Sequence, residues 1–355
     1  MATSSWQKTP VETAVNPEDP QGSPGFSHVT VLLHEAVQAL ALAPAWAEEP
    51  GDLPMPWIAD CTLGGGGHSL ALLQALPRAR LLAFDRDPQA LAAAAERLAA
   101  YGDRVEYVHA PFAELAGECQ RRGIAQLHGI VADLGVSSHQ FDTAARGFSF
   151  RMDGPLDMRM DPSRGPTVLE LLGDVRLEDL ADVLYAYGDI RRSIGTARIV
   201  LEEVAKGAVT TLALAERLAA RLGRDGGKSK IHPATQVFQA LRIWVNGELD
   251  QLEALLAQGP GLLCEGGALA VISFHSGEDR LVKHRFAELA KRGGDFTLPQ
   301  RKPIIAGEAE LSANPRARSA KLRVLQRRLA VMDDGQDEEL DEDELNDQDE
   351  GQGEA

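Results

Sequence analysis

Four consecutive glycines, Gly64 to Gly67, lie in the segment that most constrains how this chain folds. The segment follows a short apolar run, residues 55–59, that is typical of a buried strand, and it leads into a helical pattern at residues 70–76. Glycines at a strand-to-helix turn let the backbone approach a ligand closely, and they leave N–H groups available at the start of a helix. The segment therefore predicts a site for a nucleotide-like cofactor.

Strand and helix patterns alternate along the next part of the chain. Apolar runs at residues 79–84, 105–109 and 128–132 are typical of strands, and an Ala- and Leu-rich helix pattern covers residues 88–100. The apolar share of 44% and the charged share of 25% are those of an ordinary soluble globular protein. The alternation predicts an α/β fold with a parallel sheet, whose ligands bind at the carboxyl ends of the strands.

The alternation stops after Gln140, where about ninety residues read as loop and helices before strand character returns at residues 268–272. We interpret this as a helical domain inserted into a discontinuous α/β domain. The expected boundaries are 1–27 for a disordered leader, 28–140 and 232–330 for the α/β domain, 141–231 for the insertion, and 331–355 for a disordered acidic tail.

The formal charge of −17 arises mostly in the tail. Residues 333–355 contain 13 acidic side chains and no Lys or Arg, so the chain without them has a formal charge of only −4. Residues 301–328 carry eight Lys or Arg against two acids. The overall charge therefore does not exclude RNA as a partner, because a near-neutral body can present a basic face.

The three cysteines, Cys61, Cys119 and Cys264, are widely spaced and form no C-x-x-C motif. This spacing indicates neither a disulfide framework nor a zinc site, so we expect no metal and a reducing compartment. The first residues lack a signal-peptide pattern, and no uncharged apolar run reaches the roughly 18–20 residues that span a bilayer. We expect a cytoplasmic protein with no membrane association.

The glycine segment fits some cofactors better than others. An NAD fingerprint needs a third glycine where this chain has Ser69, and a Walker A motif needs a Lys-Ser/Thr pair that is absent after the glycines. The acid before the loop, Asp60, gives D-x-T-x-G-x-G, which resembles the first motif of S-adenosylmethionine-dependent methyltransferases. Asp85 ends the next strand, where an acid accepts hydrogen bonds from ribose hydroxyls. Two further candidates, Phe112 and Asp133, follow the third and fourth strands.

Several later motifs occur in a fixed order along the chain. They are Asp133–Gln140 (DLGVSSHQ), Arg146–Asp161 (RGFSFRMDGPLDMRMD), His232–Thr235 (HPAT), Phe238–Asn246 (FQALRIWVN), Ser273–Ser276 (SFHS) and Asn314–Ser319 (NPRARS). Together with the glycine loop they closely resemble the bacterial 16S ribosomal RNA cytosine-N4 methyltransferase family (RsmH, also called MraW). The resemblance runs from about residue 28 to residue 328.

This resemblance implies a class I (Rossmann-like) methyltransferase domain with an inserted helical domain, and S-adenosylmethionine as cofactor. It implies methylation of the N4 amine of a decoding-centre cytidine, with 16S rRNA in the small ribosomal subunit as partner and the protein a monomer or homodimer. The cofactor contacts that it implies are Gly66, Gly67, His68, Asp85, Phe112, Asp133 and Gln140. The alternatives are a methyltransferase for another nucleic-acid amine and a non-catalytic RNA-binding assembly factor.

The catalytic residues are less constrained by pattern. Many amine methyltransferases have D/N-P-P-Y/F where this chain has Asp133-Leu134-Gly135-Val136, and we hypothesise that Asp133 accepts the hydrogen bond of the substrate amine, or serves only the cofactor. His275 follows the returning strand, where it faces a substrate base or caps the next helix. In the helix from Pro233, Arg242 and Asn246 lie off the apolar stripe and are expected to face RNA or solvent.

Overall fold

The computed structural model describes residues 30–46, 55–223, 232–291 and 294–330, and the predicted leader and acidic tail lie outside these ranges. The strands are β1 (Trp57–Asp60), β2 (Arg80–Asp85), β3 (Val105–His109), β4 (Leu127–Asp133), β5 (Leu263–Ser273), β6 (Phe296–Thr297) and β7 (Lys321–Arg327). The helices before the insertion are α1 (Leu33–Ala41), α2 (Gly67–Ala75), α3 (Pro88–Arg97), α4 (Leu115–Arg121) and α5 (Ser138–Asp142). The later helices are α6 (Val168–Asp174), α7 (Leu177–Gly188), α8 (Ser193–Ala205), α9 (Thr211–Leu222), α10 (Ala234–Asn246), α11 (Glu248–Leu262), α12 (Ser276–Leu289) and α13 (Glu308–Ala313).

The strands form one seven-stranded sheet in the order β3-β2-β1-β4-β5-β7-β6. Strands β1 to β5 pair in parallel, whereas β7 runs antiparallel to both β5 and β6. Parallel neighbours require crossover connections, which the intervening helices supply. The predicted α/β class is confirmed, and the strand order reverses between β1 and β4, where ligands bind in sheets of this kind.

Three aspartates end the three central strands of the sheet. Asp60 is level with Ala83 of β2 and Val131 of β4, so Asp85 and Asp133 each extend two residues beyond it. Residues in register, and residues two apart on one strand, direct their side chains to the same face. All three carboxyl groups therefore lie on one face of the sheet, with Asp60 one layer deeper than the other two.

Both faces of the sheet are covered by apolar packing. In β2 the run Leu81–Phe84 is fully buried, as expected for a strand that contacts helices on both faces. Alternate residues of the strands enter one cluster that includes α1 and α2, and a second that includes α4, α11 and α12. The central strands are therefore fixed from both sides, which gives their carboxyl ends a rigid position.

A third apolar cluster is formed by the helices that follow β4. It includes Val168, Leu184, Val200 and Leu218 from the predicted insertion, together with Val237 from α10. The predicted domain boundaries at 141 and 231 remain a proposal, and α10 packs its apolar side against the helices of the insertion. A separate apolar core of this kind is what an inserted folding unit needs.

Some elements have no counterpart in the sequence prediction. They include α1, α4, α5, α11, α13 and the antiparallel pair β6 and β7 at one end of the sheet. Helix α2 also begins at Gly67, three residues before the predicted start, because Gly66 adopts a left-handed backbone at its N-cap. None of the helices in the described ranges is both long and apolar enough to span a bilayer.

Candidate cofactor and substrate site

The glycine loop is held in place by Asp60. The Asp60 carboxylate accepts hydrogen bonds from the Ser69 hydroxyl at 2.6 Å and from the Thr62 N–H at 3.0 Å, which closes the loop across its base. Asp60 is only 1% exposed, and this burial raises its pKa to about 6 although both hydrogen bonds oppose the change. Asp60 therefore fixes the conformation of the glycine loop by bonding residues on both sides of it.

Within the loop, glycine is required at two positions for different reasons. Gly66 has a φ of +76°, a left-handed conformation that disfavours any side chain. At Gly67 a Cβ atom would lie 1.9 Å from Oγ1 of Thr30, so close approach of the preceding segment excludes a side chain there. His68, the next residue of α2, is 5% exposed, and its Nδ1 lies 3.8 Å from Oδ2 of Asp133.

Asp85 connects the end of β2 to this loop. One carboxylate oxygen accepts the Gly64 N–H at 2.8 Å, and the other accepts the Asp87 N–H at 2.8 Å. Burial raises the pKa of Asp85 to about 6, and the two hydrogen bonds from backbone N–H groups partly offset this effect. A carboxylate oxygen has more than one acceptor site, so each remains able to accept a further hydrogen bond from a ribose hydroxyl.

Asp133 differs from the other two aspartates in having an unsatisfied acceptor. Its backbone N–H donates to the Thr62 hydroxyl at 2.6 Å, and its side chain is 24% exposed. Within the described part of the chain, however, its buried Oδ1 has no hydrogen-bond partner. Burial raises the pKa of Asp133 well above the ordinary value, and the nearby carboxyl groups of Asp60 and Glu278 raise it further.

Gln140 is connected to the same region through an intermediate residue, Asp87. The Gln140 side chain accepts the Ser137 N–H at 3.0 Å and donates to Asp87 at 2.8 Å. Since Asp87 also bonds Asp85, Gln140 is linked to the end of β2. Phe112 lies one strand further along, at the start of a short 3-10 helix after β3, where its ring packs partly buried against the core.

His275 caps a helix. It is the N-cap of α12, where its side chain accepts the Glu278 N–H and the Glu278 carboxylate in turn accepts the His275 N–H. This reciprocal arrangement satisfies backbone N–H groups that the first turn of a helix leaves without partners. The structure therefore gives His275 the helix-capping position considered in the sequence analysis, and a catalytic role remains an untested prediction.

The expectation that Arg242 and Asn246 face RNA or solvent is wrong. Arg242 forms a two-point ion pair with Glu248 at 2.7 and 2.8 Å, and its side chain is 18% exposed. Asn246 is 4% exposed and bonds the Met160 N–H and the Met158 carbonyl. Polar groups of Glu248, at the start of α11, and of the loop 157–161 therefore cover the polar side of α10.

A buried polar network that the sequence patterns did not predict lies next to Asp85. Asp87, the N-cap of α3, is 1% exposed and accepts a hydrogen bond from Arg146 at 2.6 Å. Arg146 also donates to the carbonyls of Arg159 and Met160. An N-cap aspartate before Pro88 was a usable signal for Asp87, whereas nothing in sequence spacing indicates its partner 59 residues away.

A cavity of about 130 Å³ opens at the carboxyl ends of β2 and β3. Its lining includes Arg86, His109, Pro111, Arg159 and Asp161. Asp85 and Phe112, for which the sequence predicts contacts with the nucleoside part of a cofactor, adjoin Arg86 and Pro111 in the chain, but neither of them lines this cavity. Among the described residues, no three His, Cys, Asp or Glu side chains are grouped so as to hold a metal ion.

Comparison with known proteins gives consistent matches along the chain. Residues 25–328 match the family described as the MraW methylase family. "Ribosomal RNA small subunit methyltransferase H" of Sorangium cellulosum is 47% identical over 315 residues, which are 88% of this chain and 94% of that protein. The proteins of the same name from Synechococcus elongatus and Chromobacterium violaceum are 46% and 44% identical, over 86% and 88% of this chain and 96% and 99% of their own.

Proposed function

Because this chain belongs to the MraW methylase family, we propose that it methylates the exocyclic N4 amine of a decoding-centre cytidine in 16S rRNA. The resemblance drawn from the motifs is thereby confirmed, and S-adenosylmethionine is the methyl donor. Three relatives at 44–47% identity are named as methyltransferases of small-subunit ribosomal RNA. The observation that carries the choice of an amine is the unsatisfied Oδ1 of Asp133 at the end of β4.

The residues at the sheet edge fit this cofactor. Bound S-adenosylmethionine supplies a methyl group on a positively charged sulfur. Gly66, Gly67 and His68 would hold its amino-acid part, since the close-packed glycine turn brings backbone to the ligand without side chains. Asp85 would accept from the ribose hydroxyls, and Phe112 would lie beside the base. Gln140 would contact the cofactor from the position at which its side chain donates to Asp87.

Asp133 has the chemistry that an exocyclic amine requires. The N4 lone pair of cytosine is delocalised into the ring, so the amine is a poor nucleophile until an acceptor hydrogen-bonds one of its protons. Asp133 would accept that hydrogen bond through its free oxygen, and then take the proton that N4 loses as the nitrogen gains its methyl group. A raised pKa makes the carboxylate a stronger base for this transfer.

The partner and setting follow from the same proposal. The substrate would be 16S rRNA within the small ribosomal subunit, and the protein would act in the cytoplasm as a monomer or homodimer. The basic stretch at residues 301–328, which precedes and includes β7, would contribute positive charge for RNA phosphates. The inserted helices, held together by their own apolar cluster, would contact RNA beyond the target base.

Methyl transfer to purified small subunits tests the function directly. Unmodified subunits are incubated with the protein and methyl-labelled cofactor, and the RNA is then digested to nucleosides. Label on N4 of cytidine is expected. Label on another base amine would replace the proposal with the first alternative, and bound RNA without label would replace it with the second.

Two variants test the role of Asp133. Asp133→Asn keeps the size and an acceptor oxygen but cannot take a proton, so we expect a loss of about 10²-fold or more in kcat for both Asp133→Asn and Asp133→Ala. Cofactor affinity, measured by calorimetry, shows whether Asp133 also binds the cofactor. Turnover close to that of the unsubstituted protein with normal cofactor affinity would exclude Asp133 as the acceptor.

A further inference from the structure

Two arginines from distant segments meet at one aromatic ring. The Arg316 guanidinium carbon lies 5.3 Å from the centroid of the Phe141 ring, and that of Arg151 lies 5.8 Å from it. Phe141 belongs to α5, Arg151 follows it by ten residues in the loop after α5, and Arg316 lies in the 3-10 helix Pro315–Ser319. We name these three residues the Phe141 platform. Guanidinium groups at such distances from an aromatic ring are attracted to its face.

The strand registers place this platform at the same edge of the sheet as Asp133. Asp133 pairs with Ile272 of β5, and the next residue, Ser273, pairs with Lys321 of β7. Phe141 follows the end of β4 by eight residues, and Arg316 precedes the start of β7 by five. Because β7 is antiparallel, its start lies at the carboxyl ends of the parallel strands, beside the proposed methyl-transfer site.

Other arginines that contact aromatic rings in the described ranges use their donors within the protein. Arg80, beside Trp57, pairs with Glu106, and Arg104, beside Tyr101, donates to three backbone carbonyls. Arg151 is different. In the part of the chain that the structure describes, its guanidinium forms no hydrogen bond or ion pair, and the residue is exposed. Five N–H donors are therefore available to a ligand.

The charge at the platform is positive. Arg316 is 37% exposed and pairs with Asp142 at 3.0 Å. The single negative charge of Asp142 therefore offsets only one of the two guanidinium charges at the platform. The ring of Phe141 is half-buried and packs against the third apolar cluster, so its position is fixed. Proteins that bind single-stranded RNA use rigid aromatic faces flanked by planar cations to stack bases and contact phosphates.

We propose that the Phe141 platform binds a nucleotide next to the target cytidine, with its base stacked on Phe141 and Arg316 and its phosphate held by Arg151. This proposal rests on the proposed function, because it assigns an RNA contact to the same edge of the sheet. It explains why two unrelated segments bring arginine to one ring there. It also gives the Asn314–Ser319 motif a role that the cofactor site does not require.

The first test compares kinetic constants with unmodified small ribosomal subunits as substrate. We expect Phe141→Ala to raise KM for subunits about 5- to 100-fold, while KM for the cofactor and kcat at saturating subunits stay unchanged. Phe141→Trp keeps a stacking ring and is expected to retain a low KM. Arg80→Ala, which breaks the arginine–aromatic contact at the opposite edge of the sheet, is the matched control and should leave KM unchanged.

The second test separates stacking from phosphate contact by salt titration. Binding of fluorescent small subunits is measured with S-adenosylhomocysteine present. Removing one phosphate contact reduces the slope of log K against log salt by about 0.7–0.9. We expect that reduction for Arg151→Ala, and lower affinity with an unchanged slope for Phe141→Ala.

These measurements distinguish the two proposals. If the unsubstituted protein labels no cytidine N4 but Phe141→Ala still weakens subunit binding, the proposed function fails and the platform stands. If labelling is normal while folded Phe141→Ala and Arg151→Ala both bind and react like the unsubstituted protein, the platform is refuted. Thermal melting of each variant shows whether it is folded, and Arg151→Ala, whose side chain is exposed and forms no hydrogen bond or ion pair among the described residues, decides the result if Phe141→Ala does not fold.

Discussion

Replacing Arg146 by methionine is expected to lower the free energy of unfolding by about 3–5 kcal/mol. Arg146 is the only cation that contacts Asp87 among the described residues, and the two side chains are 8% and 1% exposed. Methionine fills much of the same volume but carries no charge. The variant therefore leaves a carboxylate buried without its counterion, and this cost exceeds that of losing the attraction between two exposed charges.

The contacts of each group set the size of the effect. Asp87 keeps hydrogen bonds from Gln140 and from the Gln89 N–H, which limits the cost on its side. The carbonyls of Arg159 and Met160 lose a charged donor, and each such loss adds roughly 1–3 kcal/mol when the carbonyl stays buried. Since these contributions are not additive, we expect a total within the range for a broken buried pair.

Urea unfolding followed by circular dichroism measures the change. Asp87→Asn removes the charge while retaining a good N-cap residue, so the double variant with Arg146→Met is expected to be more stable than Arg146→Met alone. Arg176→Met, which breaks the exposed pair with Asp179, is the control and should change stability far less. An Arg146→Met protein as stable as this control, or no recovery on adding Asp87→Asn, would refute the reasoning.

Two further predictions concern Asp60 and His275. Burial raises the pKa of Asp60 from 3.8 to about 6, so the folded chain binds this proton more tightly than the unfolded chain, and stability is lost as pH rises from about 4 to about 6. The Asn side chain of Asp60→Asn does not titrate. The free energy of unfolding of this variant minus that of the unsubstituted protein should therefore rise by roughly 2–3 kcal/mol between pH 4 and pH 7, as measured by urea unfolding. The same difference at both pH values would contradict this prediction. His275→Ala should cost about 1 kcal/mol through the lost cap, and His275→Asn should restore it, with kcat for small subunits unchanged in both. A large fall in kcat without a change in stability would instead indicate that His275 takes part in the reaction.

The central sheet was predictable because its strands carry a strong local signal. Buried parallel strands read as short continuous apolar runs, such as Leu81–Phe84, and glycine or aspartate marks their ends. Strand β7 lacks this signal, since it alternates basic with apolar residues and lies in a stretch rich in arginine. Its buried positions Leu322, Val324 and Leu325 are visible only once the antiparallel pairing with β5 is known.

Side chains with distant partners were not predictable in the same way. Arg242 and Asn246 lie off the apolar stripe of α10, a position that usually means solvent. Here the polar side of the helix packs against Glu248 and the loop around Met158, whose backbone groups need hydrogen-bond partners. Helical periodicity identifies which side of a helix is apolar, but it does not show whether other polar groups cover the opposite side.

The three aspartates at the strand ends show why residue type alone does not assign roles in such a site. The same carboxyl group ends β1, β2 and β4, and each is partly or fully desolvated. Asp60 lies one layer deeper, bonds Ser69 and shapes the loop, and Asp85 bonds two backbone N–H groups. Asp133 has the same depth as Asp85, but its Oδ1 has no partner in the described ranges. A buried acceptor without a donor is costly to keep, so its persistence next to the glycine loop is explained if a substrate amine supplies the missing hydrogen bond.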